Sequence, residues 1–401
     1  MKQIRVGEFV ALAAMLISLV ALSIDAMLPA LPAIAADLSV ADSNDQQYII
    51  TSLFLGLGVG QLIYGPLSDS VGRKGPIYAG IVFFVAGSLL CILAPSFQIL
   101  LLGRFLQGLG GSSARIVTIA IVRDRFEGNA MARVMSFIMA VFILVPALAP
   151  LLGQSILLLG DWHMIFVAIL VFALVAVTWF ALRLDESLPA EKRNPLSIRS
   201  LLNGITFILR QPVSVGAILV MGLMFGGFVA YLSTAQQIFV DVYDTGTDFP
   251  LYFALLALAI GAASILNARI VVRLGIAKVC LLALIGQCVL TLAMLVASAL
   301  FYQNEPPLWL FMLYCVPLFF CLGVQFGNMN ALAMLPLGNI AGLGASFAGA
   351  VSTTMAVPLG ALVAHQYDGS PTPLIVSFLA FGICSLVLFR IFCFDGGRSN
   401  D

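Results

Sequence analysis

The sequence predicts an all-α membrane protein of twelve transmembrane helices in two six-helix halves, and three observations carry that expectation. Of the 401 residues, 61% are hydrophobic and 9% charged, against roughly 25% charged residues in soluble domains. The chain falls into twelve mostly uncharged stretches, each near the ~20 residues that one membrane crossing needs. A polar stretch from Arg183 to Gln211 then divides them six and six. Because 19 Lys and Arg balance 19 Asp and Glu, there is no broadly basic surface to hold nucleic acid.

Taken in order, spans are expected near residues 9–28, 48–67, 76–95, 98–121, 134–154 and 163–182, then 212–232, 250–268, 277–300, 308–330, 340–364 and 373–393. This gives an amino-terminal bundle over 1–182, a central loop over 183–211 and a carboxy-terminal bundle over 212–401. Between Glu305 and Asp368 lie 62 residues without an Asp, Glu, Lys or Arg. That is too long for one crossing, and Pro336, Gly338 and Asn339 mark the break between two helices. A cleaved signal peptide would use Lys2 and Arg5 and the Ala33-Ile34-Ala35 triplet. The apolar run exceeds the about 7–15 residues of a signal core, however, and Asp25, Pro29 and Pro32 interrupt its far end, so a retained helix is expected. The seven cysteines (Cys91, Cys280, Cys288, Cys315, Cys321, Cys384 and Cys393) lie in or beside apolar runs. They have no metal-ligand spacing and read as packing residues.

Cation placement sets the expected orientation. Lys2, Arg5, Arg73, Lys74, Arg123, Arg125, Arg133, the five from Arg183 to Arg210, Arg269, Arg273, Lys278, Arg390 and Arg398 fall on one side, seventeen of nineteen. The other side carries Asp37, Asp42, Asp45, Asp161, Asp241, Asp244, Asp248, Glu305 and Asp368 and no cation. The positive-inside rule then places both termini and the central loop in the cytoplasm. The two remaining cations, Arg104 and Arg115, fall inside the fourth span.

The halves look like copies. Gly65-Pro66-Leu67-Ser68-Asp69-Ser70-Val71-Gly72-Arg73-Lys74 joins spans two and three, and Asn267-Ala268-Arg269-Ile270-Val271-Val272-Arg273-Leu274-Gly275 joins spans eight and nine. Gly72 and Gly275 stand 203 residues apart, half the chain, and the second copy lacks the acid. Parallel repeats of this kind build two-halved secondary transporters, whose substrates bind near the midplane.

In the first copy the glycines permit a tight turn and Asp69 can accept from helix amino termini or nearby bases. Gly65, Asp69, Gly72, Arg73 and Lys74 thus form a candidate conformational motif. Their pattern resembles the signature between helices two and three of the major facilitator superfamily. Ser23-Ile24-Asp25-Ala26-Met27-Leu28-Pro29-Ala30-Leu31-Pro32, Arg104-Phe105-Leu106-Gln107-Gly108, Val122-Arg123-Asp124, Ala149-Pro150-Leu151-Leu152-Gly153 and Trp162-His163-Met164-Ile165-Phe166 further resemble the bicyclomycin-resistance (Bcr/CflA) drug:proton antiporters. The resemblance covers most of the first half and implies the major facilitator fold, a bacterial inner-membrane location and drug efflux by proton antiport. Ala149, Pro150 and Gly153 match an antiporter-like motif in span five, although Ala149 and Gln154 depart from the Gly-Pro-x-x-Gly-Gly form at its ends.

Asp25 is the one acid placed clearly within a span, and intramembrane acids mark ion or substrate paths. Ala14, Ser18 and Ala21 share its helical face, which is small and suited to line a cavity. Arg104 and Arg115 lie about three turns apart on one face, with Gly108 and Gly111 between them. Arg104 stands at about the depth of Asp25, where an ion pair or a water-bridged contact would couple a proton to transport. Arg115 lies deeper and either contacts substrate or snorkels to the headgroups. Gln107, Phe228 and Tyr231 complete the candidate substrate cavity. Met221, Met224, Phe225, Phe228 and Tyr231 form an apolar and aromatic face that reads as pocket wall or as plain helix packing, with packing the first reading. Gln236, Gln237, Gln325, Asn328 and Asn330 are similar cases, and His163 and His365 sit at outer span ends as interfacial residues.

The leading expectation is a secondary transporter that exports small amphiphilic compounds in exchange for protons. It needs no cofactor beyond the proton gradient and no metal. Its partners are a small-molecule substrate, protons and the lipid bilayer, with no nucleic acid, and it is expected to be a monomer. An alternative is a proton-coupled transporter of an anionic metabolite, because two intramembrane arginines against one aspartate leave a positive charge unmatched. An enzyme would need clustered His, Cys, Asp or Glu within the spans, and Asp25 stands alone there. ATP hydrolysis would need a Gly-x-x-x-x-Gly-Lys-Ser/Thr loop, which the sequence lacks. A sensor would carry a signalling domain that the loops have no room for.

Overall fold

The computed structural model describes residues 4–193 and 197–394. Fourteen helices follow one another: α1 Val6–Asp25, α2 Leu31–Asp37, α3 Tyr48–Val71, α4 Lys74–Ile92, α5 Phe97–Arg125, α6 Gly128–Leu157 and α7 His163–Arg183, then α8 Ile198–Leu209, α9 Pro212–Gln237, α10 Phe249–Leu274, α11 Ile276–Phe301, α12 Leu308–Met334, α13 Ala341–His365 and α14 Thr372–Phe389. Among the described residues, twelve helical segments are long and apolar enough to cross a membrane. The chain divides into two compact units, Met1–Ser200 and Leu201–Asp401.

Two expected elements are refined. The first crossing does not stop near residue 28. Pro29 and Pro32 remove backbone donors that α1 would need, so the chain passes through a 3₁₀ turn at Leu28–Ala30 and restarts as α2. The whole apolar segment is Val6–Asp37. The central loop, read as polar connection, contains the twelve-residue helix α8. The long uncharged run after Glu305 does break where expected, at Leu335–Ile340 between α12 and α13.

Within the first unit α5 packs between α3 and α4, while α1 lies against α5, α6 and α7. Small residues make this closeness achievable, since helices in lipid gain from backbone approach rather than from burial of apolar surface. A Cβ on Gly108 would run into the Leu53 carbonyl of α3, and Gly80 and Gly110 leave no room for one another's side chains between α4 and α5. The second unit repeats the scheme: α12 packs between α10 and α11, while α9 lies against α12, α13 and α14. Span seven thus repeats span one and span ten repeats span four, the pattern that duplication predicts.

Candidate functional site

Asp25 closes α1 and is 5% exposed. Asp25 does not stand at the end of its apolar segment, because twelve further residues of that segment follow it. Among the described residues Asp25 has neither hydrogen bond nor ion pair. Ala14, Ser18 and Ala21 on its face are buried as well, and the Ser18 hydroxyl has no partner. The antiporter-like motif abuts this point. Ala149, Pro150 and Gly153 are buried, and Gly153 lies so close to the Ala26 carbonyl that a Cβ would collide with it. The absent side chain of Gly153 is therefore what lets α6 reach the residue next to Asp25.

Arg104 is fully buried, and among the described residues it makes no direct ion pair with Asp25, the first of the two contacts expected. Its Nη2 donates to the Ser23 carbonyl at 2.9 Å, its Nε to the Ile49 carbonyl at 3.2 Å and its Nη1 to Gln107 Oε1 at 2.9 Å. The guanidinium also lies 5.8 Å from the Phe166 ring centroid. The Ser23 carbonyl in the last turn of α1 and the Ile49 carbonyl in the first turn of α3 each take a donor of this planar five-donor fork. Arg104 thus ties α5 to α1 two residues before Asp25, and to α3. Gln107, expected to line a cavity, has both ends of its amide engaged: it accepts from Arg104 and donates to Ser88 Oγ at 2.9 Å. It belongs to the bundle interior.

Arg115 behaves differently from Arg104. It is half-buried, and among the described residues it has neither hydrogen bond nor ion pair. In the second unit Tyr231 is buried, its ring stacked on Phe253 at 5.7 Å and edge-on to Phe319 at 4.6 Å. That is core packing rather than cavity wall. Phe228 is half-buried beside Phe225 and Phe326, with centroids at 6.0 and 5.8 Å.

The conformational motif is the most heavily bonded site. Arg73 is 5% exposed. Its Nε and Nη2 fork onto Asp124 at 2.8 and 3.2 Å, and its Nη1 donates to Ser68 Oγ at 2.9 Å and to Asp69. Burial alone would lower its pKa, but the two carboxylates outweigh burial and raise it. The Glu186 carboxylate accepts from the Arg73 and Lys74 backbone N–H groups at 2.8 and 3.0 Å, and from that of Leu188 at 3.1 Å. Burial pushes this carboxyl up; the three N–H groups and Arg193 overcome that and hold it below the ordinary carboxylate range. Lys74 Nζ donates to the Leu184 carbonyl at 2.8 Å, and Ser187 Oγ to Asp124 at 2.8 Å. Gly65 is buried and accepts from Ser68 Oγ at 2.9 Å. Gly72 has φ +99°, and a Cβ there would sit 2.8 Å from Glu186.

Sequence reasoning missed Glu186 altogether and left Asp124 in a family motif without a role. A signal existed: Asp185 and Glu186 are an acidic pair at the head of a stretch otherwise rich in cations. In the second copy Gly275 repeats the positive φ, at +78°, but a Cβ there would meet nothing within 4 Å. Asn267 pairs reciprocally with Asn328 at 3.0 and 2.8 Å. The turn is duplicated and, among the described residues, the clamp is not.

Comparison with known proteins matches residues 13–361 to the model of the Major Facilitator Superfamily. The chain is 27% identical over 379 residues to a bicyclomycin resistance protein homolog of Haemophilus influenzae, covering 91% of each chain. It is 28% identical over 333 residues to the multidrug resistance protein MdtL of Salmonella paratyphi A, covering 81% of this chain and 80% of that one. To the MFS-type transporter YdgK of Bacillus subtilis it is 38% identical over 251 residues, spanning 62% of either protein. Among solved structures, a D-xylose-proton symporter matches with a TM-score of 0.76 at 15% identity, covering 96% of both chains. The human organic anion transporter MFSD10 matches at 0.67 and 18%, covering 97% of this chain and 100% of that one. At those identities the likeness establishes the fold. With the family model spanning most of its length, the chain belongs to the Major Facilitator Superfamily, as a multi-pass inner-membrane transporter rather than an enzyme.

Proposed function

We propose that the protein exports small amphiphilic drugs in exchange for protons by alternating access, and that Asp25 carries the proton. Efflux is supported by the two relatives named for resistance, to bicyclomycin and to multiple drugs, that align along most of the chain. The observation behind the proton role is the burial of Asp25 without a partner among the described residues. An ionised carboxylate so placed costs several kcal/mol unless it is protonated, paired or hydrated, so its proton affinity must change with access to water and with bound substrate. Arg104, fixed to the Ser23 carbonyl, positions the end of α1 and keeps a positive charge near it. The energy source is the proton gradient, and the working unit is the monomer with its two six-helix halves. Both termini and the 183–211 loop face the cytoplasm, on the strength of the seventeen-to-zero cation asymmetry.

Proteoliposomes with an imposed pH gradient test this reading. Asp25→Asn keeps the shape and removes the proton site, so uphill export should vanish while downhill exchange of a neutral substrate persists. Unchanged pH-driven export in that variant overturns the proton role.

One observation favours a second reading, transport of an anionic metabolite. Among the described residues no acid pairs with Arg115, and a substrate carboxylate or phosphate would supply one.

A further inference from the structure

We infer that α8 is an interfacial anchor, lying in the headgroup layer of the leaflet that the central loop meets and holding anionic phospholipid. One side of this helix is already committed to protein. Ile208 is fully buried, and Gly204 sits so close to Leu343 of α13 that a Cβ would strike its side chain. At about 100° per residue, Leu201 extends that sector to about 60°. Ile205, Leu209 and Leu202 then continue the apolar arc to about 160° from Gly204. Leu202 and Leu209 are 57% and 59% exposed, so this outer part of the arc is not covered by the chain.

Charge says what covers it. Arg199, in the first turn of α8, and Arg210, the residue after its last, stand at about 220° and 240° on the same helical wheel, one at each end of the helix and about 16 Å apart along its axis. Neither has a side-chain hydrogen bond or ion pair among the described residues. No Asp or Glu occurs between Glu191 and Asp241, so nothing nearby in the sequence neutralises them. Position completes the argument: Leu209 lies three residues before Pro212, which opens the membrane-crossing segment Pro212–Val242. A helix tethered so closely to a span sits at the bilayer surface. An apolar arc flanked by arginines suits that boundary, with leucines among acyl chains and guanidinium groups at the phosphates.

The test uses the full chain with its seven native cysteines replaced. A single cysteine at Leu202, Leu209 or Asn203 carries an environment-sensitive fluorophore, in vesicles of phosphatidylcholine with or without about one-third phosphatidylglycerol. Labels at 202 and 209 should be quenched by nitroxide-bearing lipid and sheltered from aqueous iodide, and the label at 203 should behave oppositely. Phosphatidylglycerol should raise the lipid quenching at 202 by about twofold or more, and Arg199→Gln with Arg210→Gln should remove that gain. Iodide access at 202 equal to that at 203 overturns the proposal. So does shelter at 202 from both quenchers, which would mean that protein covers the arc. Lipid quenching indifferent to phosphatidylglycerol and to both arginines overturns the anionic preference.

Discussion

Glu186, just beyond the sixth span, closes the amino terminus of α4 at Arg73, whose backbone N–H it accepts at 2.8 Å while Arg73's own guanidinium forks onto Asp124. One residue therefore receives a carboxylate on its backbone from the central loop and another on its side chain from the end of α5. First-turn N–H groups are otherwise orphans, and an anion there also meets the positive end of the helix dipole.

Glu186→Gln should loosen this junction, since it removes the charge while keeping acceptor capacity on one atom. Exchange between conformations should slow or lose its pH response, and equilibrium substrate binding should stay within about threefold, under 1 kcal/mol. The sign of the pH effect follows from the depressed carboxyl. Its contribution is complete above the unfolded value near roughly 4.3 and is lost as pH falls through the lower folded one. Transport rates of the parent and of Glu186→Gln should therefore converge only in strongly acidic medium. Convergence at neutral pH would remove Glu186 from the mechanism.

Asp124→Asn should destabilise more than Asp69→Asn. The Asp124 side chain is 15% exposed and takes both arms of the Arg73 fork, whereas Asp69 is 44% exposed and takes one. A hydrogen bond to a charged group is worth about 1.5–3 kcal/mol, and exposure discounts the Asp69 contact. Thermal unfolding of purified variants should rank parent, Asp69→Asn, Asp124→Asn in falling order. Both should slow transport without abolishing binding, because they disturb a turn at the end of the bundle rather than its interior.

Gly72 and Gly275 offer an internal control. Both have positive φ, with ψ 174° and 154°, so an alanine at either is strained by about 1–3 kcal/mol. Only at Gly72 would the new methyl also meet Glu186 and Arg193. Gly72→Ala should thus lower the melting temperature more than Gly275→Ala, and the excess should shrink in a Glu186→Ala background. Equal losses in all backgrounds would show that the clamp contributes nothing.

The spans, the inter-half duplication and the motif turn were legible in the sequence because each rests on local signals: runs of apolar residues, glycines with fixed spacing, and cations confined to one side. The partners of the charges were not. Arg104 and Arg115 share a helical face, and periodicity could not reveal that one meets the Ser23 and Ile49 carbonyls while the other meets none among the described residues. Glu186 lies 113 residues from Arg73, a separation over which only packing decides contact. Helix α8 was hidden for another reason: at twelve residues it is too short to register as a crossing, and Arg199 within it and Arg210 just after it read as loop.

Topology is open to direct labelling. With native cysteines replaced, Ala41→Cys and Thr247→Cys should react with an impermeant thiol reagent added outside intact cells, and Ser197→Cys should react only after the membrane is opened. The expectation rests on seventeen cations against none across the two faces. The opposite labelling would invert the protein and, with it, the direction of proton flow assigned to Asp25.

Arg115 separates the two transport readings. Both agree on Asp25, so proton coupling cannot distinguish them, whereas an unanswered intramembrane cation is useful to an anion and unhelpful to a cationic drug. If the substrate is an anion, Arg115→Ala should weaken its binding by at least about tenfold, or 1.4 kcal/mol. Arg115→Lys should keep a point charge and recover part of that affinity, though not the planar two-pronged contact. If the substrate is a neutral or cationic amphiphile, Arg115→Ala should leave its affinity unchanged or improve it, since one repulsive charge is gone. Equilibrium binding at fixed pH reads this without interference from turnover. Parallel measurement on Arg104→Lys guards against a merely structural effect. That change breaks the fork to the Ser23 and Ile49 carbonyls and should lower stability for either class of substrate. Loss of affinity in Arg115→Ala with unaltered melting temperature therefore selects the anion, and retained affinity with resistance to drugs intact selects multidrug export.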